Sequence, residues 1–119
     1  MRVLLVEDER MNADLFVDAV EPEGHAVTVE TDGVAGLARA RAERFDLLVL
    51  DMNLPGMSGA EICAALRADG STTPIVALSA SVLPNELAAG LRAGFDAYLT
   101  KPITPADLRD AIRHYAKPE

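Results

Sequence analysis

The sequence predicts an α/β domain, a doubly wound five-stranded parallel sheet in the strand order 2-1-3-4-5 covered by five helices. Three observations predict it. Apolar runs of strand length alternate five times with stretches of helical periodicity, the pattern of a sheet built from crossover units. Two runs, Val3-Leu4-Leu5-Val6 and Leu47-Leu48-Val49-Leu50, are unbroken aliphatics, which suits strands buried on both faces. Unusual polar residues stand just past the strands, namely Glu7 and Asp8, Asp51, Ser79 and Lys101. In open α/β sheets that edge is where ligands bind.

The elements follow in order. Residues 2–6 form the first strand and 10–20 the first helix, with Ala13, Val17 and Val20 at helical spacing until Pro22 and Gly24 break it. Residues 25–30 alternate as a more exposed strand. Asp32-Gly33 turns into a second helix whose Val34, Leu37 and Ala38 face inward. The third strand, 46–50, stops at Asp51 and a Pro55-Gly56 turn. Ser58 caps the third helix, with Glu61 completing a capping box. Ile62, Cys63 and Leu66 form its buried stripe, and Gly70 lies past its end. The fourth strand is 74–78. The fourth helix includes 86–93, with Leu87 and Leu91 inward and Gly94 as its stop. The fifth strand is 97–100. Thr104-Pro105-Ala106-Asp107 opens the last helix with an N-cap, a proline at the first position and an acid in the first turn. Leu108, Ile112 and Tyr115 make its apolar face.

Composition narrows the function classes. The 119 residues have the size of one domain, 1–119; half are hydrophobic and 4% aromatic, so the core is aliphatic. No apolar run approaches the roughly 20 residues of a membrane span. Acids follow Val6 at once, which does not read as a signal peptide. A lone cysteine, Cys63, fits a reducing cytoplasm, and its place on an apolar helix face predicts burial. A net charge of -8 and a pI near 4.6 argue against direct nucleic-acid binding, which needs clustered Lys and Arg.

Right-handed crossovers bring the polar strand ends to one edge, and strands 1 and 3 flank the topological switch point. Glu7, Asp8 and Asp51 then converge, and three carboxylates repel unless a positive group sits among them. Mg²⁺, a hard cation with oxygen ligands, meets that need. Asp51 as opener of a turn and the acids as solvated surface are the plain alternatives. An aspartate carboxylate is also able to attack phosphorus and form an acyl phosphate, which asks mainly for positioning and charge neutralisation. Lys101 is a point charge suited to phosphate oxygens, and Ser79 offers a hydroxyl. Only two lysines occur, Lys101 and Lys117.

Four pieces in order carry a resemblance: Val-Glu-Asp at 6–8, Leu-Asp-Met-Asn-Leu-Pro-Gly-Met-Ser-Gly at 50–59, Ala-Leu-Ser-Ala at 77–80, and Ala-Gly-Phe-Asp-Ala-Tyr-Leu-Thr-Lys-Pro-Ile at 93–103. Over nearly its full length the chain resembles the receiver (response-regulator) domain of two-component signalling, a flavodoxin-like fold. The resemblance implies that Asp51 is the phosphoacceptor. It implies that Asp8 binds Mg²⁺ directly, Glu7 through a coordinated water and Asn53 through its backbone carbonyl. Ser79 and Lys101 correspond to the family's phosphate-binding hydroxyl and lysine, and Tyr98 to the aromatic whose rotamer accompanies phosphorylation. Lys101-Pro102 corresponds to a bond that is usually cis in such domains.

The implied function is a cytoplasmic phosphorylation switch, not an enzyme. The phosphoryl group comes from a histidine kinase or histidine phosphotransfer protein. Output passes to a downstream protein through 83–92, Tyr98 and 103–113, the face of the fourth helix, fifth strand and fifth helix. The motif variants lean toward single-domain cell-cycle regulators and hybrid-kinase receivers. Glu7 departs from the pair of aspartates that many members carry, and Asn53 and Ser81 stand where receivers tune dephosphorylation. His25 and His114 lie away from this edge. Three other classes compete. In a flavodoxin-like cofactor binder, Glu7-Asp8-Glu9 would repel phosphate. An aspartyl phosphohydrolase wants a second acid at position 53, which is Asn. The last is a receiver-shaped scaffold that signals without phosphate.

Overall fold

The computed structural model describes residues 1–79, 94–101 and 103–115. Its sheet has five parallel strands in the order β2-β1-β3-β4-β5. They are β1 (Arg2–Val6), β2 (Ala26–Glu30), β3 (Leu47–Asp51), β4 (Ile75–Ser79) and β5 (Ala97–Thr100). Four α-helices lie among the described residues: α1 (Arg10–Val20), α2 (Gly33–Ala42), α3 (Gly59–Ala68) and α4 (Pro105–Tyr115). The helix expected over 86–93, Ser81 and the Lys101-Pro102 bond fall outside the described residues.

Side-chain alternation along the strands divides the core into two layers. Val3, Leu5, Leu47, Val49, Val76 and Leu78 point to one face and pack with Phe16 and Val20 of α1 and Leu108 and Ile112 of α4. Leu4, Val6, Leu48, Leu50, Ile75 and Ala77 point to the other and meet Leu37 of α2 and Ile62, Cys63 and Leu66 of α3. β3 and β4 are buried along their whole length, whereas β2 at the edge is partly exposed.

The helix starts are chemically specified. Ser58 Oγ accepts the N–H of Glu61 at 3.1 Å, and the Glu61 carboxylate accepts the N–H of Ser58 at 3.4 Å, the expected capping box. Thr104 and Asp107 make the same reciprocal pair at α4, at 3.1 and 3.2 Å. At the end of α1 a short 3-10 turn, Glu21–Glu23, leads to Gly24 with φ 95°, where the sequence places its break.

Two expected helix faces need correction. In α1 the buried residues are Ala13, Phe16, Ala19 and Val20, with Val17 half-buried. In α2 the inward residues are Gly33, Gly36 and Leu37; Val34 is 61% exposed and Ala38 is exposed. The reason is close approach. A Cβ at Gly36 would stand 2.7 Å from Val6 Cγ2, so α2 sits nearer the sheet than any side chain at that position allows. Hydropathy reads valine as inward and gives glycine no weight.

Candidate functional site

β1 carries Glu7 past its last residue, and the Glu7 N–H still pairs with the Glu30 carbonyl at 3.0 Å. β3 ends on Asp51. Strand adjacency therefore sets the two carboxylates side by side, and Glu7 is 1% and Asp51 3% exposed. Asp8, exposed, completes the group: one carboxylate oxygen from each of Glu7, Asp8 and Asp51 lies within 4.8 Å of the others. β5 delivers Lys101 across the edge, where its Nζ is 2.7 Å from Asp51 Oδ2 and 3.1 Å from Glu7 Oε1. The other Asp51 oxygen, Oδ1, accepts the Asn53 N–H at 2.9 Å.

Burial pushes the Glu7 carboxyl up to about 7 from its ordinary 4.5; the neighbouring Asp51 adds to the rise and Lys101 opposes it. Burial also works against charge on Asp51, but hydrogen bonds from Glu7, Lys101 and the Asn53 amide outweigh it and hold that carboxyl below its usual value. Burial likewise disfavours the Lys101 ammonium, and its contacts with Asp51 and Glu7 more than offset this and raise its pKa. Near neutrality the site is thus a carboxylate at 51, an ammonium at 101 and a carboxyl at 7 close to its midpoint.

The donor set fits a hard divalent cation. It is all oxygen, carries up to three negative charges and opens to solvent on the Asp8 side, the chemistry Mg²⁺ takes in preference to softer metals. The site lies in a cleft of about 700 Å³ whose polar end holds Glu7, Asp8, Asp51, Asn53 and Lys101. Its apolar wall includes Phe16, Ile103 and Leu108.

Of the residues singled out in the sequence, Glu7, Asp8, Asp51, Asn53 and Lys101 come together. Ser79 ends β4, buried, one residue beyond Leu78, the strand partner of Asp51; its carbonyl accepts the Lys101 N–H at 2.7 Å. Tyr98 lies on β5. Its half-buried ring packs on Phe95, with centroids 5.6 Å apart, on the layer shared with α2 and α3. Cys63 is fully buried, as its helix position predicts. Sequence reading missed the apolar wall and Phe16 in particular, whose spacing from Ala13 and Val20 also fits the buried stripe. No helix among the described residues is long and apolar enough to cross a membrane.

Comparison with known proteins agrees with this geometry. The response regulator receiver domain family matches residues 3–113. The chain is 41% identical over 116 residues to sensor histidine kinase AruS of Pseudomonas aeruginosa, covering 94% of this chain and 12% of that protein. It is 42% identical over 111 residues to transcriptional regulatory protein CseB of Streptomyces coelicolor, covering 93% of this chain and 47% of that protein. The chain therefore spans less than half the length of these relatives. A kinase and a transcriptional regulator thus match almost equally. Among solved structures, the receiver domain of sensor histidine kinase PA1611 from Pseudomonas aeruginosa, with a magnesium ion coordinated in its active site cleft, is 31% identical. It aligns with a TM-score of 0.86 over 96% of this chain and 95% of that one. The chain belongs to the response regulator receiver domain family.

Proposed function

We propose that this receiver domain, working as one unit over 1–119, is a phosphorylation-dependent switch of a two-component or phosphorelay system. Asp51 takes the phosphoryl group from the phosphohistidine of a histidine kinase or histidine phosphotransfer protein. The observation that carries this is Asp51 itself, a buried carboxylate at the mouth of the sheet, paired with Lys101 at 2.7 Å and oriented by the Asn53 amide at 2.9 Å.

In the transfer an Asp51 oxygen attacks phosphorus and an acyl-phosphate O–P bond forms as the donor's P–N bond breaks. The electron pair leaves on the imidazole nitrogen. Asp8, Asp51 and the Asn53 carbonyl, with Glu7 through water, are the residues that would hold Mg²⁺. When bound it supplies positive charge for the transferred oxygens. Lys101 moves its ammonium from the free carboxylates to a phosphoryl oxygen, and the Ser79 hydroxyl donates to another. Tyr98 and the surface 103–113 follow, which shifts a pre-existing equilibrium between two arrangements. The domain is a phosphoacceptor and at most promotes its own phosphorylation and dephosphorylation. It works in the cytoplasm and its output is contact with a downstream protein; the net charge of -8 disfavours direct contact with nucleic acid.

Amide NMR with Mg²⁺ and beryllofluoride, a mimic of the bound phosphoryl group, tests the switch. Shifts are expected at 51, 53, 79 and 101 and onward at Tyr98 and 103–113, all absent in Asp51→Asn. Shifts confined to the acidic edge would leave a phosphoacceptor without a switch, and equal shifts in Asp51→Asn would remove Asp51 from the mechanism.

A further inference from the structure

The loop between β3 and α3, residues 52–58, carries Asn53 past the acidic cluster and turns back at Gly56, whose φ of 80° is left-handed. Its crest is held from outside by the first turn of α2. A helix start leaves its first N–H groups without partners in the helix. Asp32 Oδ1 takes that of Ala35 at 2.8 Å, whereas that of Gly33 is donated out of the helix to the Pro55 carbonyl at 3.1 Å. The same carbonyl accepts the Met57 N–H at 2.9 Å. The Met57 carbonyl then lies against the Gly33 Cα. A Cβ at position 33 would overlap that oxygen and stand 2.7 Å from the carbonyl carbon.

The inner end of the loop is equally fixed. The Met52 N–H pairs with the Leu78 carbonyl at 2.9 Å, and the Gly59 Cα packs on the Asp51 carbonyl. Asn53 therefore sits two residues from Pro55 in a loop clamped at both ends, with its amide on the Asp51 carboxylate.

We propose that Gly33 is a positioning residue for the metal and phosphoryl site. By seating residues 55–57 against α2 it fixes where Asn53 stands relative to Asp51, and so how tightly the acidic cluster takes Mg²⁺. This rests on the roles given above to Asn53 and Asp51. Gly33 contacts neither the carboxylates nor the transferred group; it acts through the loop. Any side chain at position 33 pushes the loop away from α2, and groups that orient metal ligands typically cost about 10–100-fold in affinity when disturbed.

The test is Mg²⁺ titration of the whole chain, followed by the Asp51 and Asn53 amide resonances, in wild type, Gly33→Ala and Gly24→Ala. Gly24 has φ 95° and open space around its Cα, so alanine there costs backbone strain at the opposite edge of the sheet without touching the loop. Gly33→Ala is expected to weaken Mg²⁺ binding by about tenfold or more and to shift the Asn53 resonance even with chelator present. Gly24→Ala keeps wild-type affinity despite its own loss of stability. Equal affinity in Gly33→Ala and wild type overturns the proposal alone. A wild type that does not bind Mg²⁺ overturns the metal assignment and this proposal with it. If Gly33→Ala does not fold, glycolic acid placed at position 33 by chemical ligation replaces the N–H with an ester oxygen and adds no side chain, at the cost of a weaker Asp32 carbonyl acceptor for the Gly36 N–H. A severalfold weaker Mg²⁺ affinity then supports the proposal and an unchanged one overturns it.

Discussion

Glu7 is the least ordinary acid in the fold, and Glu7→Gln turns that into a measurable energy. Its carboxyl has a pKa of about 7 in the folded protein against an ordinary 4.5. Between those values the folded state holds a proton that the unfolded state has released. The contribution to stability is therefore fully present below pH 4.5 and is lost as pH rises through about 7. The interval spans roughly 2.5 pH units, and at about 1.4 kcal/mol each the loss is about 3 kcal/mol. Asp51 does not offset it in this window. Its lowered pKa stabilises the fold above its ordinary 3.8, and that part is lost only as pH falls below that value.

Glutamine cannot ionise. It keeps an acceptor for Lys101 and gains a donor toward Asp51, so it reproduces the protonated acid at every pH. With chelator present, urea unfolding at pH 5 should give wild type and Glu7→Gln similar stabilities. At pH 8 the variant should be more stable by about 1–3 kcal/mol with an unchanged m-value. Ionisable groups common to both proteins cancel in the difference. With Mg²⁺ added the order should narrow or reverse, because the ion binds the wild-type folded state more tightly. Equal stabilities at pH 8 without metal would refute the account of Glu7 as a buried acid held near its midpoint.

Other predictions follow from parts of the fold away from the site. Arg67 donates to the carbonyls of Gly94, Ser71 and Thr73 and to Asp96, tying α3 to the entrances of β4 and β5. Arg67→Met should cost about 2–3 kcal/mol in urea unfolding, since it strands several acceptors that water reaches only in part. Ser58→Ala removes the capping box of α3 and should cost about 1 kcal/mol in urea unfolding. Cys63 is fully buried and its thiol is raised by that burial, so an aromatic disulfide reagent should label it only as fast as the protein opens. Rapid stoichiometric labelling of the folded chain would contradict the packing of α3.

Much of this architecture was legible in the residues because the relevant signals are local. The aliphatic runs locate β1 and β3, and the structure shifts the latter by one residue from the expected 46–50, so that it starts at Leu47 and closes on Asp51. The caps at Ser58 and Thr104 announce α3 and α4 through hydrogen bonds between neighbours three residues apart. The convergence of Glu7, Asp8, Asp51 and Lys101 follows once strand order is known, since topology alone carries strand ends to one edge. What was not legible depends on distance between elements. Val34 was read as inward because periodicity weighs side chains, yet α2 approaches the sheet on Gly33 and Gly36. The clamp of Lys101 between Glu7 and Asp51 was hidden for a similar reason. It depends on how far a glutamate reaches across a strand gap, which no spacing in the sequence encodes.

The account stands most directly on which atom takes phosphate. The decisive measurement is mass mapping of the chain after incubation with Mg²⁺ and a small-molecule phosphodonor, with borohydride trapping of the acyl phosphate before digestion. The account predicts one reduced residue, position 51, absent with chelator and absent in Asp51→Asn. Trapping at Glu7 or Asp8, or an adduct that survives hydroxylamine, would contradict it.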